Sequence, residues 1–211
     1  SCKGVCKRVE TIDFNPSRVP KLCDGDYCYD EVLIDLLRET LSRPSKEHRV
    51  IVLHMIGSHG PTYYRRYPEK FAKFVPDCPR SDIQNCEEAE LTNTYDNTIA
   101  YTDYVLGQII EQLSTIPNSS MLYLSDHGES LGEKGLYLHG FPYNLAPVEQ
   151  THVPMVYWAS KFSQPEYSDC VKSLSSHPYS HDNLFDTLLG LTNVQSSTYQ
   201  PTQDILRKCE S

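Results

Sequence analysis

Two hundred and eleven residues, 39% hydrophobic and 22% charged, are enough chain for one large domain with a core of its own. A formal net charge of -9 and a pI of about 5.3 exclude a nucleic-acid binder that works by bulk attraction, and give no general pull toward an anionic bilayer. No stretch approaches the roughly 20 apolar residues of a membrane span, and Ser1-Cys2-Lys3-Gly4-Val5-Cys6 has no apolar run behind a charged start, so no signal peptide is expected.

Residues 1–29 are rich in Cys, Pro, Asp and Gly and lack periodicity, which predicts a stapled loop region. Asp30 is expected to cap a helix in which Val32, Leu33, Leu36, Leu37 and Leu41 recur at helical spacing, with Pro44 ending it. Residues 49–56 are β-rich and mostly apolar, a predicted strand that runs into the turn Gly57-Ser58-His59-Gly60-Pro61. An irregular insertion at 60–86 follows. Leu91, Tyr95, Ile99, Val105, Leu106, Ile109, Ile110 and Leu113 then give residues 87–116 the apolar side of a long helix, stopped by Pro117.

A second strand, 121–124, leads into Ser125-Asp126-His127-Gly128-Glu129-Ser130. Residues 128–153 are a glycine-punctuated loop that carries His139. The third strand is 153–159, with Pro154 at its start, where no ladder donor is lost. Asp182 is expected to cap a helix over 184–191, and the tail is polar. Alternating strands and helices, with continuously apolar strands, predict an α/β domain with a mainly parallel sheet.

Eight cysteines of even parity and close spacing point to disulfides and an oxidising compartment. On the order of 100 full pairings are open to eight cysteines, so parity alone assigns nothing. Spacing favours Cys2 with Cys6, Cys23 with Cys28 and Cys78 with Cys86, leaving Cys170 with Cys209. A zinc–thiolate site at Cys2 and Cys6 lacks the second CxxC that such sites use.

Chemistry-bearing residues concentrate where strands end. Asp oxygen and His nitrogen are natural Zn²⁺ ligands, and α/β sheets bind ligands at the carboxyl ends of their strands. Neighbours in an extended strand face opposite ways, so Asp126 and His127 share an ion only if the backbone bends, which Gly128 allows. A lone Asp-His pair reads better as a turn cap beside a surface histidine. His59 and His139, each followed by glycine, shift the balance toward one shared cluster. Glu129 is open between ligand, amine contact and cap. His54 reads as a core residue and His181 as structural. Tyr63-Tyr64-Arg65-Arg66-Tyr67 mixes cations with aromatics, which fits either an anionic lipid surface or a loop of stacked arginines.

Taken together, Gly57-Ser58-His59-Gly60-Pro61-Thr62-Tyr63-Tyr64, Asn93-Thr94-Tyr95-Asp96-Asn97-Thr98, the run from Ser125 to Glu133, Tyr137-Leu138-His139-Gly140 and Ser180-His181-Asp182-Asn183-Leu184-Phe185 resemble the lipid A phosphoethanolamine transferases associated with polymyxin resistance. Cys2-Lys3-Gly4-Val5-Cys6 and Cys28-Tyr29-Asp30-Glu31-Val32 fit the same pattern, so the resemblance covers nearly the whole chain. It implies an alkaline phosphatase/sulfatase-like α/β sandwich, incomplete at its N-terminal side. Residues 1–211 would then be the C-terminal portion of one periplasmic catalytic domain.

The implied reaction moves phosphoethanolamine from phosphatidylethanolamine to lipid A through a zinc-assisted phosphothreonine. Its implied place is the periplasmic face of the Gram-negative inner membrane, reached through an N-terminal membrane bundle. A monomer with no nucleic-acid partner is expected. By the same match Asp126 and His127 are metal ligands for Zn²⁺. His59 and His139 are the catalytic, substrate-side histidines, which touch the phosphoryl group or a second zinc, and Glu129 is substrate-binding, near the headgroup. The threonine nucleophile, the first acidic zinc ligand and the membrane bundle are expected upstream of Cys2. Thr94, Thr98 and Thr102 ride the long helix and read as structural. A catalytic zinc site takes three protein ligands, so the segment alone is expected to bind zinc weakly and to transfer nothing. A sulfatase-like phosphodiesterase or hydrolase with water as acceptor, and a non-catalytic disulfide-stapled binding fragment, are the rival readings.

Overall fold

A 27-residue helix, α2 (Glu88–Ser114), is the axis around which the molecule packs. At about 1.5 Å per residue it is roughly 40 Å long. Its start is fixed by a capping box in which Glu87 and Glu90 each satisfy the other's backbone N–H. The computed structural model describes residues 8–13, 16–25, 27–45 and 47–209. The expected Cys2–Cys6 pair lies outside the described residues.

The remaining elements are β1 (Cys23–Asp24), β2 (Tyr27–Cys28), α1 (Val32–Ser42), β3 (Ser120–Leu124), β4 (Ser130–Leu131), β5 (Tyr137–Leu138), α3 (Val148–Thr151), β6 (Met155–Ala159), α4 (Pro165–Leu174) and α5 (Asp182–Leu191). Both long predicted helices and the strands at β3 and β6 are present. Helix α4, absent from the sequence-based expectation, shows helical spacing in Tyr167, Cys170, Val171 and Leu174 behind Pro165 in its first turn. In the insertion three short 3₁₀ turns replace regular structure: Tyr63–Arg65, Glu69–Phe71 and Ile83–Asn85.

Two apolar clusters flank α2. Ile34 and Leu37 of α1 meet Tyr101, Val105 and Ile109 of α2, with Tyr67 and Phe71 of the insertion between them. The Phe71 ring stands edge-on to Tyr101 at 4.9 Å, a preferred aromatic geometry. Nearer the start of α2, Leu91 packs with Tyr63 and Ile83, and Leu131, Tyr137 and Leu138 of the β4–β5 hairpin lie against them. The helix threonines are structural, as expected: Thr94 Oγ1 accepts from Cys78 N at 2.6 Å, and Thr98 Oγ1 donates to Ser58 Oγ at 2.6 Å. Ile99, expected on the apolar side, is exposed.

Strand order departs from the expected parallel sheet. β3 pairs with β6 antiparallel, Ser120 opposite Ala159 and Leu124 opposite Met155. The other ladders among the described residues are the two hairpins β1–β2 and β4–β5. Parallel neighbours need a crossover, usually a helix. The connection from β3 to β6 holds only the β4–β5 hairpin and the single turn of α3, so the chain comes back beside β3 in the opposite sense.

Residues 49–56 are extended but join no ladder among the described residues. Their side chains alternate as a strand's would: Ile51, Leu53 and Met55 pack on the α1–α2 cluster, while Val50, Val52 and Ile56 are exposed. His54 falls on the exposed face and is not the core residue that the apolar run predicts.

Cys23–Cys28 and Cys78–Cys86, the close pairs that spacing favours, are bonded, and so is the remaining pair Cys170–Cys209. They close the first hairpin, staple the insertion and tie α4 to the tail. That tail is turn-rich and still buries Asp204, Ile205 and Leu206.

Candidate metal and phosphoryl centre

His59, His127 and His139 come from three separate stretches of chain and meet. One nitrogen from each lies within 4.8 Å of the others. The His127 and His139 rings stack at 3.9 Å, and His59 stands edge-on to His139 at 5.0 Å.

Each histidine is placed by its own stretch of chain. His127 follows β3, whose line is broken at Gly128. The Gly128 N–H donates to Gln150 O at 3.0 Å, and a Cβ there would run into the Glu149 carbonyl. Only glycine fits so close an approach. His139 follows β5, just after Leu138, whose φ of +64° is unusual for a residue with a side chain. His59 sits in the turn after the extended segment, where its N–H donates to Ile56 O at 3.3 Å.

All three imidazoles turn Nδ1 toward an oxygen that can only accept. His59 Nδ1 donates to Gly60 O at 2.7 Å, His127 Nδ1 to Gly128 O at 3.0 Å and His139 Nδ1 to Glu129 Oε1 at 3.1 Å. These bonds select the Nδ1–H tautomer and leave Nε2 of each ring as a lone-pair donor. Imidazoles oriented in this way by carbonyls or carboxylates are what metal sites use. Three such nitrogens suit Zn²⁺.

Asp126 stands at the rim of this cluster. Its side chain is 90% exposed, and Oδ1 lies 3.8 Å from His127 Nε2 while accepting the His127 N–H at 3.1 Å. The Asp-His corner therefore brings one carboxylate oxygen near one ring nitrogen, and His127 belongs both to this pair and to the three-histidine cluster.

Glu129, expected near the headgroup, is buried beside His139. Its side chain is 3% exposed. Oε1 accepts from Gly60 N at 3.1 Å and from His139, and Oε2 accepts from Tyr63 Oη at 3.2 Å. Both oxygens are engaged inside the protein, tying the His59 turn to His139. Burial first, and then Glu129, push the Tyr63 phenol above its ordinary value of 10.0, which keeps it a donor to that carboxylate.

Sequence reasoning missed several supporting residues. Arg66 is buried and its Nε donates to His59 O at 2.8 Å. Arg65 pairs with Asp24 at 2.6 Å and lies 4.0 Å from the centre of the Tyr27 ring. Of the two readings of this aromatic–basic segment, stacked and paired arginines is the one observed. His181, expected to be structural, is so: its Nε2 donates to Ser125 O at 2.9 Å, bracing the residue before Asp126. Its only advance signal was the cluster Ser180-His181-Asp182-Asn183, and hydrogen bonds to a distant backbone leave no periodic trace. His48, His152 and His177 are exposed, as their lack of pattern implied.

The sequence profile of the sulfatase family matches residues 4–194. Phosphoethanolamine transferase EptA of Salmonella typhimurium is 50% identical over 99% of this chain, which covers 39% of that protein. Phosphatidylethanolamine transferase Mcr-1 of Escherichia coli is 40% identical over 97% of the chain, again covering 39% of the relative. The chain thus spans about two fifths of the length of these curated relatives. The crystal structure of the soluble domain of lipooligosaccharide phosphoethanolamine transferase A from Neisseria meningitidis matches it with a TM-score of 0.91 at 44% identity, over 99% of this chain and 64% of that one. With that profile running through the insertion, the three histidines and α5, the chain belongs to the sulfatase family.

Proposed function

We propose that this chain is the C-terminal portion of a zinc-dependent phosphoethanolamine transferase. It would act at the periplasmic face of the Gram-negative inner membrane, with phosphatidylethanolamine as donor and lipid A as acceptor. The observation that carries the reading is the convergence of three imidazoles, each with Nδ1 already engaged. Similarity over nearly the whole chain to named phosphoethanolamine transferases supports the same substrate class.

Asp126 and His127 would hold the zinc ion, with His59 and His139 either touching the phosphoryl oxygens or holding a second ion. Bound there, Zn²⁺ would lower the pKa of a coordinated hydroxyl and offset charge on the phosphoryl oxygens. The remaining work belongs to side chains. His139 and His59 keep Nε2 free of the bonds made by Nδ1, so that nitrogen can stabilise phosphoryl charge or pass a proton to the leaving oxygen near neutral pH. Glu129 keeps His139 in one tautomer and one orientation, so its role is support and not direct headgroup contact. In the first half-reaction the hydroxyl oxygen of a threonine outside these residues would take the phosphoethanolamine group as diacylglycerol leaves, and an oxygen of lipid A would then take the group and release the threonine.

Phosphoethanolamine transfer to lipid A, followed by mass spectrometry in the full parent protein, tests this. His139→Ala is expected to lower turnover by about 10²- to 10⁴-fold, the usual worth of a positioned acid–base group. Wild-type turnover in the His139→Ala protein would overturn the assignment. Release of free phosphoethanolamine to water, with none on lipid A, would favour the hydrolase reading.

A further inference from the structure

Asp30 lies 29 positions before His59, and its sequence context marks it as a helix cap. The structure gives it other work. Glu31 holds the N-cap position of α1, and no side chain caps that helix. The Asp30 residue is 6% exposed, and its two carboxylate oxygens accept from consecutive backbone groups far along the chain: Ile56 N at 2.9 Å and Gly57 N at 2.8 Å. These residues open the turn that carries His59. Gly57 has φ of +54°, a conformation that residues with side chains rarely adopt, and the carbonyl of Ile56 accepts the His59 N–H.

Arg66 grips the same turn from its other end, through Nε to His59 O. Among the described residues, every side-chain hydrogen bond made by Asp30 and Arg66 goes to the turn 56–59. A buried charge is costly unless it is hydrogen-bonded and faces an opposite charge. Here an anion and a cation are both buried, each bonded to the backbone on one side of His59. Burial pushes the Asp30 carboxyl above its ordinary value of 3.8, opposed by its two backbone bonds and then by the charge of Arg66. Bonds from ionised groups to backbone N–H and C=O are the stronger, more directional class, so they fix a position as well as a fold.

We propose that Asp30 and Arg66 are positioning residues for His59, holding its imidazole at the distance from His139 and His127 that the shared site requires. The proposal rests on the reading of the three histidines as one site. Its own content is separable: it predicts where the His59 ring stands, with or without an ion.

The test uses the full parent protein with Asp30→Asn, an isosteric change that loses one acceptor, and with Arg66→Gln as a second route should the first fold poorly. Imidazole NMR would follow ring-to-ring proximity of His59 and His139. Titration with Co²⁺, as a spectroscopic stand-in for Zn²⁺, would follow affinity. Thermal unfolding would report the fold. Both variants are expected to lose the His59–His139 proximity while keeping that of His127 and His139. Co²⁺ affinity should fall by roughly 10- to 100-fold, the usual effect of removing an outer partner of a ligand. In a His59→Ala background the same variants should change affinity no further, since the pathway of the effect is gone.

An Asp30→Asn protein that unfolds earlier but keeps the His59–His139 proximity would overturn the proposal, as would an affinity loss of equal size with and without His59. If His59→Ala itself leaves Co²⁺ affinity unchanged, His59 holds no ion and is left with the phosphoryl oxygens. The proximity measurement then still decides whether Asp30 and Arg66 place the ring.

Discussion

The apolar cluster along the later half of α2 and the histidine corner are held by different physics. Around Tyr101, Val105 and Ile109 the helix is gripped by apolar burial, with Ile34, Leu37 and Phe71 closing the cluster. Around the histidines, the ties on the turn that carries His59 are directional bonds from buried charged groups: Asp30, Arg66 and Glu129. Apolar burial is roughly proportional to area and indifferent to direction, whereas a charge-assisted hydrogen bond fails with a small error in angle. The first region therefore holds the chain together, and the second holds three imidazoles in place. Damage to each should show in a different measurement.

The largest effect on the fold should come from the apolar end. Leu37→Ala removes a side chain 3% exposed at the α1–α2 contact and is expected to cost about 2–5 kcal/mol of stability. Metal binding by the fraction still folded should stay unchanged. A denaturant titration checks the first statement and a calorimetric zinc titration the second. Loss of zinc affinity with no loss of stability would dissolve the division between the two regions.

Glu129→Gln is the mirror experiment. The amide is nearly isosteric, and it loses the charge that holds His139 Nδ1–H and Gly60 N. Zinc affinity should fall by roughly 10- to 100-fold, with stability changed by less than for Leu37→Ala. An unchanged affinity would return Glu129 to a role in contact with substrate.

Alkali probes both regions together. Tyr67, in the apolar cluster, and Tyr95, beside the β4–β5 hairpin, are each pushed up to about 12 by burial, above an ordinary value of 10.0. Folding favours the protonated phenol. The stability this contributes is fully present below pH 10 and is lost as pH rises through 12. Phenolate absorbance followed beside circular dichroism should show these two tyrosines ionising together with unfolding. Free titration of both at ordinary values in the folded protein would contradict the burial argument.

Arg65→Ala should do least. The pair with Asp24 is partly exposed, and such pairs are worth at most about 1 kcal/mol. Because Arg65 is already paired and stacked, binding of this chain to anionic vesicles is expected to be no weaker in the variant. A clear loss of vesicle binding would restore the lipid-surface reading of that segment.

Much of the site was legible because it lies where local signals are strongest. His59, Asp126, His127 and His139 sit at or near the ends of apolar runs beside glycines, where a chain must turn and polar groups collect. The long helices were legible from apolar spacing and the prolines that stop them. Illegible were contacts with no period. Asp30 precedes a helix, and the sequence makes it a cap, but its partners are backbone N–H groups of Ile56 and Gly57 that no side-chain pattern reports. Arg66 lies in a run that looks like a cationic surface, yet its guanidinium turns inward to His59 O.

Local chemistry in the sequence set the helices, the apolar runs, the close cysteine pairs and the identity of the groups able to bind metal or phosphoryl oxygen, because each depends on neighbours within a few residues. Folding in three dimensions decided that β6 runs antiparallel to β3, that residues 49–56 stay unpaired among the described residues, and that Glu129 faces inward while Asp126 faces out. Those outcomes turn on which backbone groups and charges meet across tens of residues, and a carboxylate takes its role from the N–H groups it meets and not from the residues beside it.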